Sequence, residues 1–222
     1  MTRATFLAVL VWLAAAGAAM AQGGVVPKEI ILYVHKDLEA DELVEQLACE
    51  LSAVLVAPVR TQPNDMPIDL NLVATGNRLD SERVIRRYNA YTERQFGAHT
   101  LGLLLIPYYL QYRMDPTFGT VLGLPFNMGV VSIGALTSPG ADLAQPEVRN
   151  LVARRAFKIS FRYIAHMAGL WGRNGCVLEY PYGLAGVDRK PAELCEDDRA
   201  TLVAAGVLKA SPSGPCVTAM AR

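Results

Sequence analysis

Along this chain the apolar positions change their period several times, and each change marks a different element. Residues 29–35, EIILYVH, form a short apolar run and predict a buried strand. Leu38, Leu43, Leu47 and Leu51 then recur at helical spacing, which predicts a helix over residues 38–54. APVRTQ, residues 57–62, predicts a second strand. DSERVIRRYNAYTERQF, residues 80–96, has the composition of a helix with an Asp/Ser start. TLGLLLIPYY, residues 100–109, is the most strand-like stretch and is expected at the centre of a sheet.

The pattern then loosens. Residues 113–136 set Gly and Pro between short β-branched runs, which suits a hairpin or an edge strand, the edge itself at 123–133. A long helix is predicted over 145–170, with Val148, Val152, Ile159, Tyr163, His166 and Leu170 near one stripe, and Gly169 or Gly172 can end it. GLAG at 183–186 reads as part of a turn, and EDDRATLVAAG at 196–206 as a last short helix with acid in its first turn. Strand–helix–strand connections at the start favour parallel pairing. The expected fold class is therefore α/β: a single domain with a mixed, mostly parallel sheet, an antiparallel edge strand, packed helices and one long central helix.

Composition and charge narrow the function classes. The chain opens MTRATFLAVLVWLAAAGAAMAQGG, where Arg3, the apolar run 6–16 and Ala19-Met20-Ala21 read as a secretory signal peptide over residues 1–21. The mature domain, 22–222, is then periplasmic or secreted. The apolar run is short of the ~20 residues that a membrane span needs, so no membrane anchor is expected after cleavage. Without the leader's Arg3, 20 basic residues face 21 acidic ones, which gives no electrostatic case for nucleic acid. No P-loop, dinucleotide fingerprint or GxSxG elbow is present. Cys49, Cys176, Cys195 and Cys216, an even number in an exported chain, read as two disulfides with three possible pairings, and metal ligation is the competing reading.

FRYIAHMAGLWGRNGCVLEY, residues 161–180, raises the question of chemistry. A His, two residues and a Gly, then a bend and a Cys, is how a zinc-protease helix leaves its metal. This stretch and its continuation to Cys195, together with FGTVLGLPFNMGVVSIGALTSP (118–139), resemble the archaemetzincins, a family of the metzincin clan of zinc peptidases. The resemblance covers most of the mature chain and implies a metzincin-like fold. It implies equally what is missing. On the family's H-E-x-x-H-x-x-G-x-x-H pattern His166 is the second His and Gly169 the Gly, while Arg162 stands at the first ligand, Tyr163 at the general-base Glu and Gly172 at the third ligand.

Those replacements remove the chemistry. A catalytic zinc takes three protein ligands and a water. A guanidinium stays protonated and cannot ligate. Tyr163 is a poor base at neutral pH, where a positioned base is worth about 10²–10⁴ in rate. Of the family's four cysteines, the first position falls at or near Arg173, the second is Cys176 with Leu178 replacing the following turn's Met, the third is Cys195 and the fourth is Asp198. Two thiolates are too few for a structural zinc but suffice for a disulfide. The resemblance thus implies a Cys176–Cys195 bridge, worth roughly 3 kcal/mol on chain-entropy grounds, and leaves Cys49 to pair with Cys216.

Three functions follow as expectations. In the first, the protein is an exported archaemetzincin-like chain without catalysis or a required cofactor, whose cleft holds a peptide or protein along the edge strand. Arg162, Tyr163 and His166 are then its candidate substrate-binding residues, and Arg162 and His166 share a helix face that suits an anion such as a peptide carboxylate. The plainer alternatives make His166 a hydrogen-bonded core or cleft histidine and Arg162 the ion-pair partner of a carboxylate such as Glu179 or Asp188. In the second, zinc is held by rearranged ligands: His166, Glu179 and one of the remote histidines, His35 or His99. The third is a structural exported protein with no ligand.

Overall fold

A computed structural model describes residues 24–92, 99–122, 127–171 and 175–214. The leader region 1–21, Gly172, Arg173 and Cys216 lie outside them. β1 (Glu29–His35) leads through α1 (Asp41–Val54) to β2 (Val59–Asn64), which pairs parallel with β1. A small hairpin, β3 (Val73–Thr75) and β4 (Arg78–Asp80), precedes α2 (Ser81–Thr92), and β5 (Thr100–Ile106) then pairs parallel with the other side of β1. β6 (Tyr109–Tyr112) and β7 (Asp115–Thr117) complete a second sheet ordered β3-β4-β6-β7. β8 (Gly119–Val121) and β9 (Met128–Ser132) complete the main sheet, ordered β2-β1-β5-β9-β8, in which only β8 runs antiparallel to its neighbour. The helices α3 (Ile133–Leu136), α4 (Pro146–Met167), α5 (Gly183–Arg189) and α6 (Glu196–Ala204) follow.

The apolar runs of β1 and β5 are continuous because both faces of the main sheet are covered. Successive side chains on a strand point to opposite faces. Ile30, Leu32, Leu101, Leu103 and Leu105 pack with α1 and α4, whereas Ile31, Tyr33, Leu104 and Ile106 pack with Val84, Ile85 and Tyr88 of α2. Leu43, Leu47 and Leu51 form the buried stripe of α1, and each such side chain removed from water contributes about 1.5–3 kcal/mol. β5 is the middle strand of the five, as its composition predicts.

Four expectations are corrected. The edge strand is not 123–133: Met128–Ser132 is an interior strand paired on both sides, and the edge is Gly119–Val121. GLAG opens the helix α5 rather than a turn, because the carbonyl of Gly186 accepts the Lys190 N–H to close its last turn. α1 starts at Asp41, since Leu38 belongs to the turn bonded back to His35. The second sheet was not legible at all; its strands are three or four residues long, too short for a period to show.

α4 positions the site. Val152, Ile159, Tyr163 and His166 are buried as the stripe predicts, but so are Ala153, Ala156, Phe161, Ile164, Ala165 and Met167. The helix is enclosed by the sheet, α1 and the C-terminal segment, so its second half has no solvent face of ordinary width. It also buries Arg155, whose guanidinium donates to both Asp188 oxygens at 2.7 Å and to the Leu136 carbonyl at 2.7 Å. That fork ties α4 to α5. Among the described residues no helix is long and apolar enough to cross a membrane.

Arg155 holds the Asp188 carboxyl below the usual carboxylate range, chiefly by hydrogen bonding. A depressed folded-state pKa contributes stability above the unfolded value and loses it as pH falls through the folded one. Asp188→Asn should therefore lower stability by about 2 kcal/mol at pH 7 and flatten the acid limb below about pH 4, as read by urea unfolding across pH.

Candidate functional site

The end of α4 shapes the site through a backbone turn. Gly169 has φ +95°, the conformation that favours glycine, and donates to the His166 carbonyl while Leu170 donates to that of Ala165. This pair of bonds is a Schellman cap. It reverses the chain so that Trp171 stacks on the His166 ring, centroids 5.0 Å apart and planes 29° from parallel. On the other side the Tyr163 ring lies 6.3 Å from that of His166. Tyr163 also lies under β8: a Cβ on Gly119 would overlap the Val130 carbonyl and the Tyr163 ring, so only glycine admits this approach of edge strand to helix.

Cys176 and Cys195 form a disulfide, with Cα atoms 5.4 Å apart. It brackets the loop after α4, whose base is also strapped by the Val177 N–H donating to the Glu193 carbonyl. Leu178, at the position of the family's Met, is fully buried. Arg162 donates from Nε to the Leu178 carbonyl at 3.1 Å and lies over the Tyr180 ring, 5.1 Å from its centroid. Its partners are thus a carbonyl and an aromatic face. Neither expected carboxylate takes it: Asp188 is held by Arg155, and Glu179 accepts the Gly175 N–H. Cys49 is not a free thiol, and its expected partner Cys216 lies outside the described residues.

The electrostatics of this cluster are cationic. His166 is buried and its Nε2 has no hydrogen-bond partner among the described residues. Burial first, then the charges of Arg162 and Lys190, hold its pKa at about 3. Lys190 is 5 % exposed and its Nζ has no partner among the described residues either. Burial, then Arg162 and Lys158, bring its pKa to about 7 against the pull of Glu179. Burial pushes the Tyr163 hydroxyl far above its ordinary value. That hydroxyl is no base at neutral pH.

A zinc at His166 does not fit these residues. One imidazole faces Arg162 and Lys190, and one of the three protein ligands a catalytic zinc needs cannot repay the repulsion. His35 and His99 are occupied elsewhere, the first at the Met66 carbonyl and the second at that of Val26. Among the described residues the one group of three donors within 4.8 Å is Cys176, Cys195 and Asp198, not His166 with Glu179 and a histidine. Both sulfurs of that group are in the disulfide, so a metal there would require its reduction.

Lys190 and Trp171 were not found from sequence. Trp171 carried a faint signal, an aromatic two residues after the cap glycine. Lys190 carried none.

No protein-family model matches the sequence, and no curated protein matches it. Solved structures match it in fold. A zinc-dependent peptidase from Methanocorpusculum labreanum superposes with a TM-score of 0.66 at 22 % identity, over 78 % of this chain and 99 % of that one. Archaemetzincin from Archaeoglobus fulgidus, solved with malonate, gives 0.60 at 20 % identity, over 78 % and 99 %. Archaemetzincin from Methanopyrus kandleri gives 0.63 at 18 % identity, over 79 % and 94 %. The chain has an archaemetzincin-like fold.

His166 and Lys190 both have folded-state pKa values below their unfolded ones, so each contributes stability that is complete above the unfolded value and lost as pH falls through the folded value. Global stability should accordingly rise between pH 7 and about pH 10, the window of Lys190. In Lys190→Met that rise should flatten, as followed by denaturant midpoints at several pH values.

Proposed function

We propose that this protein is an exported, catalytically inactive relative of the zinc-dependent peptidases that holds a peptide or protein in its cleft and uses no zinc at His166. The observation that carries the reading is Arg162, a permanent cation one helical turn before His166, anchored to the Leu178 carbonyl and the Tyr180 ring. It stands where a ligand would have to stand, and it is fixed there. Tyr163, beside it, keeps its proton and cannot activate water.

A groove of about 500 Å³ runs between Thr117 and Phe118, just before the edge strand, and the segment Tyr180 to Leu184, with Tyr109 on its floor. β8 closes one side of the main sheet, so its outer edge offers backbone groups to an extended chain. The aromatic walls supply contact area, Arg78 and Asp115 are the charged side chains of the lining, and Arg162, His166 and Lys190 lie outside it. Export is supported by the leader-like start and by a buried disulfide, which persists in an oxidising compartment.

Protein purified oxidised, without chelator, should carry far less than one zinc per chain and should not cleave peptides. About one zinc per chain, lost in His166→Ala, would contradict the proposal. Peptides selected on the protein from a random library should bind Tyr180→Ala and Tyr182→Ala more weakly by about 1–2 kcal/mol each, measured by calorimetry.

A further inference from the structure

A second hollow, of about 370 Å³, adjoins the groove and is built wholly from residues 175–191. The disulfide joins residues 176 and 195, so a single cross-link brackets nearly all of its wall. Tyr180, Pro181 and Tyr182 line both hollows and form the partition between them. Lys190 lines the second one, 5 % exposed, with no hydrogen bond and no ion pair within 4.0 Å among the described residues. Lysines are almost never buried this far without a partner.

We propose that the disulfide-closed loop is a carboxylate-binding pocket in which the Lys190 ammonium receives a carboxylate belonging to the ligand that lies in the neighbouring groove. The local charge supports an anion. Arg162 and Lys158 face Lys190, Arg189 lines the same hollow, and Glu179 is the one opposing carboxylate, with its Oε2 already accepting the Gly175 N–H. The Arg162 Nε is committed to the Leu178 carbonyl. One ammonium between tyrosine and proline walls suits a single carboxylate carried on an apolar chain, not a phosphate, which calls for several converging donors. An arriving carboxylate would supply the partner that the buried Lys190 Nζ lacks.

This inference rests on the cleft of the previous subsection for the ligand's course, but its test does not. In protein labelled with ¹⁵N at lysine, succinate should shift the Lys190 Nζ resonance. By calorimetry, tetra-alanine with a free carboxyl terminus should bind at least tenfold more tightly than its amide, and Lys190→Met should abolish that preference. Unchanged Nζ resonance in succinate, or full preference in Lys190→Met, would overturn the pocket. A succinate response with equal binding of both peptides would support the pocket and assign it to a side-chain or small-molecule carboxylate. A succinate response without any peptide binding would support the pocket and remove the peptide cleft. Because the resonance shift is read on the unaltered chain, the test stands even if Lys190→Met does not fold.

Discussion

The Arg162 guanidinium lies one turn ahead of a buried imidazole, and its charge constrains everything around it. A guanidinium cannot lose its proton, so the space beside His166 has a fixed positive field. Burial first, and that field second, keep the ring neutral and weaken the hold of Lys190 on its proton. A dication entering this space would meet repulsion before it met a second donor. An anion would meet the reverse. The glycine cap, the chain reversal after it and the buried residue at 178 fix this charge against the backbone.

What holds this arrangement is a division of labour between α4 and the loop that follows. α4 is enclosed on nearly every side, and Arg155 and Arg162 tie it at two heights, one to Asp188 and one to the Leu178 carbonyl. The loop has few apolar anchors of its own beyond Val177, Leu178 and Val187. It is held instead by the disulfide and by the Val177–Glu193 strap. A bridge of this kind restricts the unfolded chain wherever it sits, but here it also keeps Tyr180, Tyr182 and Lys190 together on one short segment.

Much of the fold was legible because it follows from period. The runs at β1 and β5 could only be doubly covered strands, and Leu43, Leu47 and Leu51 could only be the inner face of a helix. The antiparallel edge was legible as a class of structure but was placed too late, because Gly and Pro set between short β-branched runs suit an edge anywhere in the segment. Gly129 is in fact interior, where a Cβ would crowd Leu103 and Met167. Of the site, the shared face of Arg162 and His166 was visible from their spacing. The rest depended on contacts distant in sequence. Nothing local distinguishes Lys190, which follows a helix that reads as a turn, from a surface lysine; only the folded loop buries it.

The most direct measurement is the titration of the His166 ring by NMR, with and without added zinc. His35→Gln and His99→Gln variants would assign its resonances among the three histidines. A ring that stays neutral down to about pH 3, unmoved by zinc at pH 7, is what burial beside the charges of Arg162 and Lys190 predicts. A ring that titrates near the ordinary 6.5, or that shifts with one equivalent of zinc, would show that burial and the charges of Arg162 and Lys190 do not govern the site.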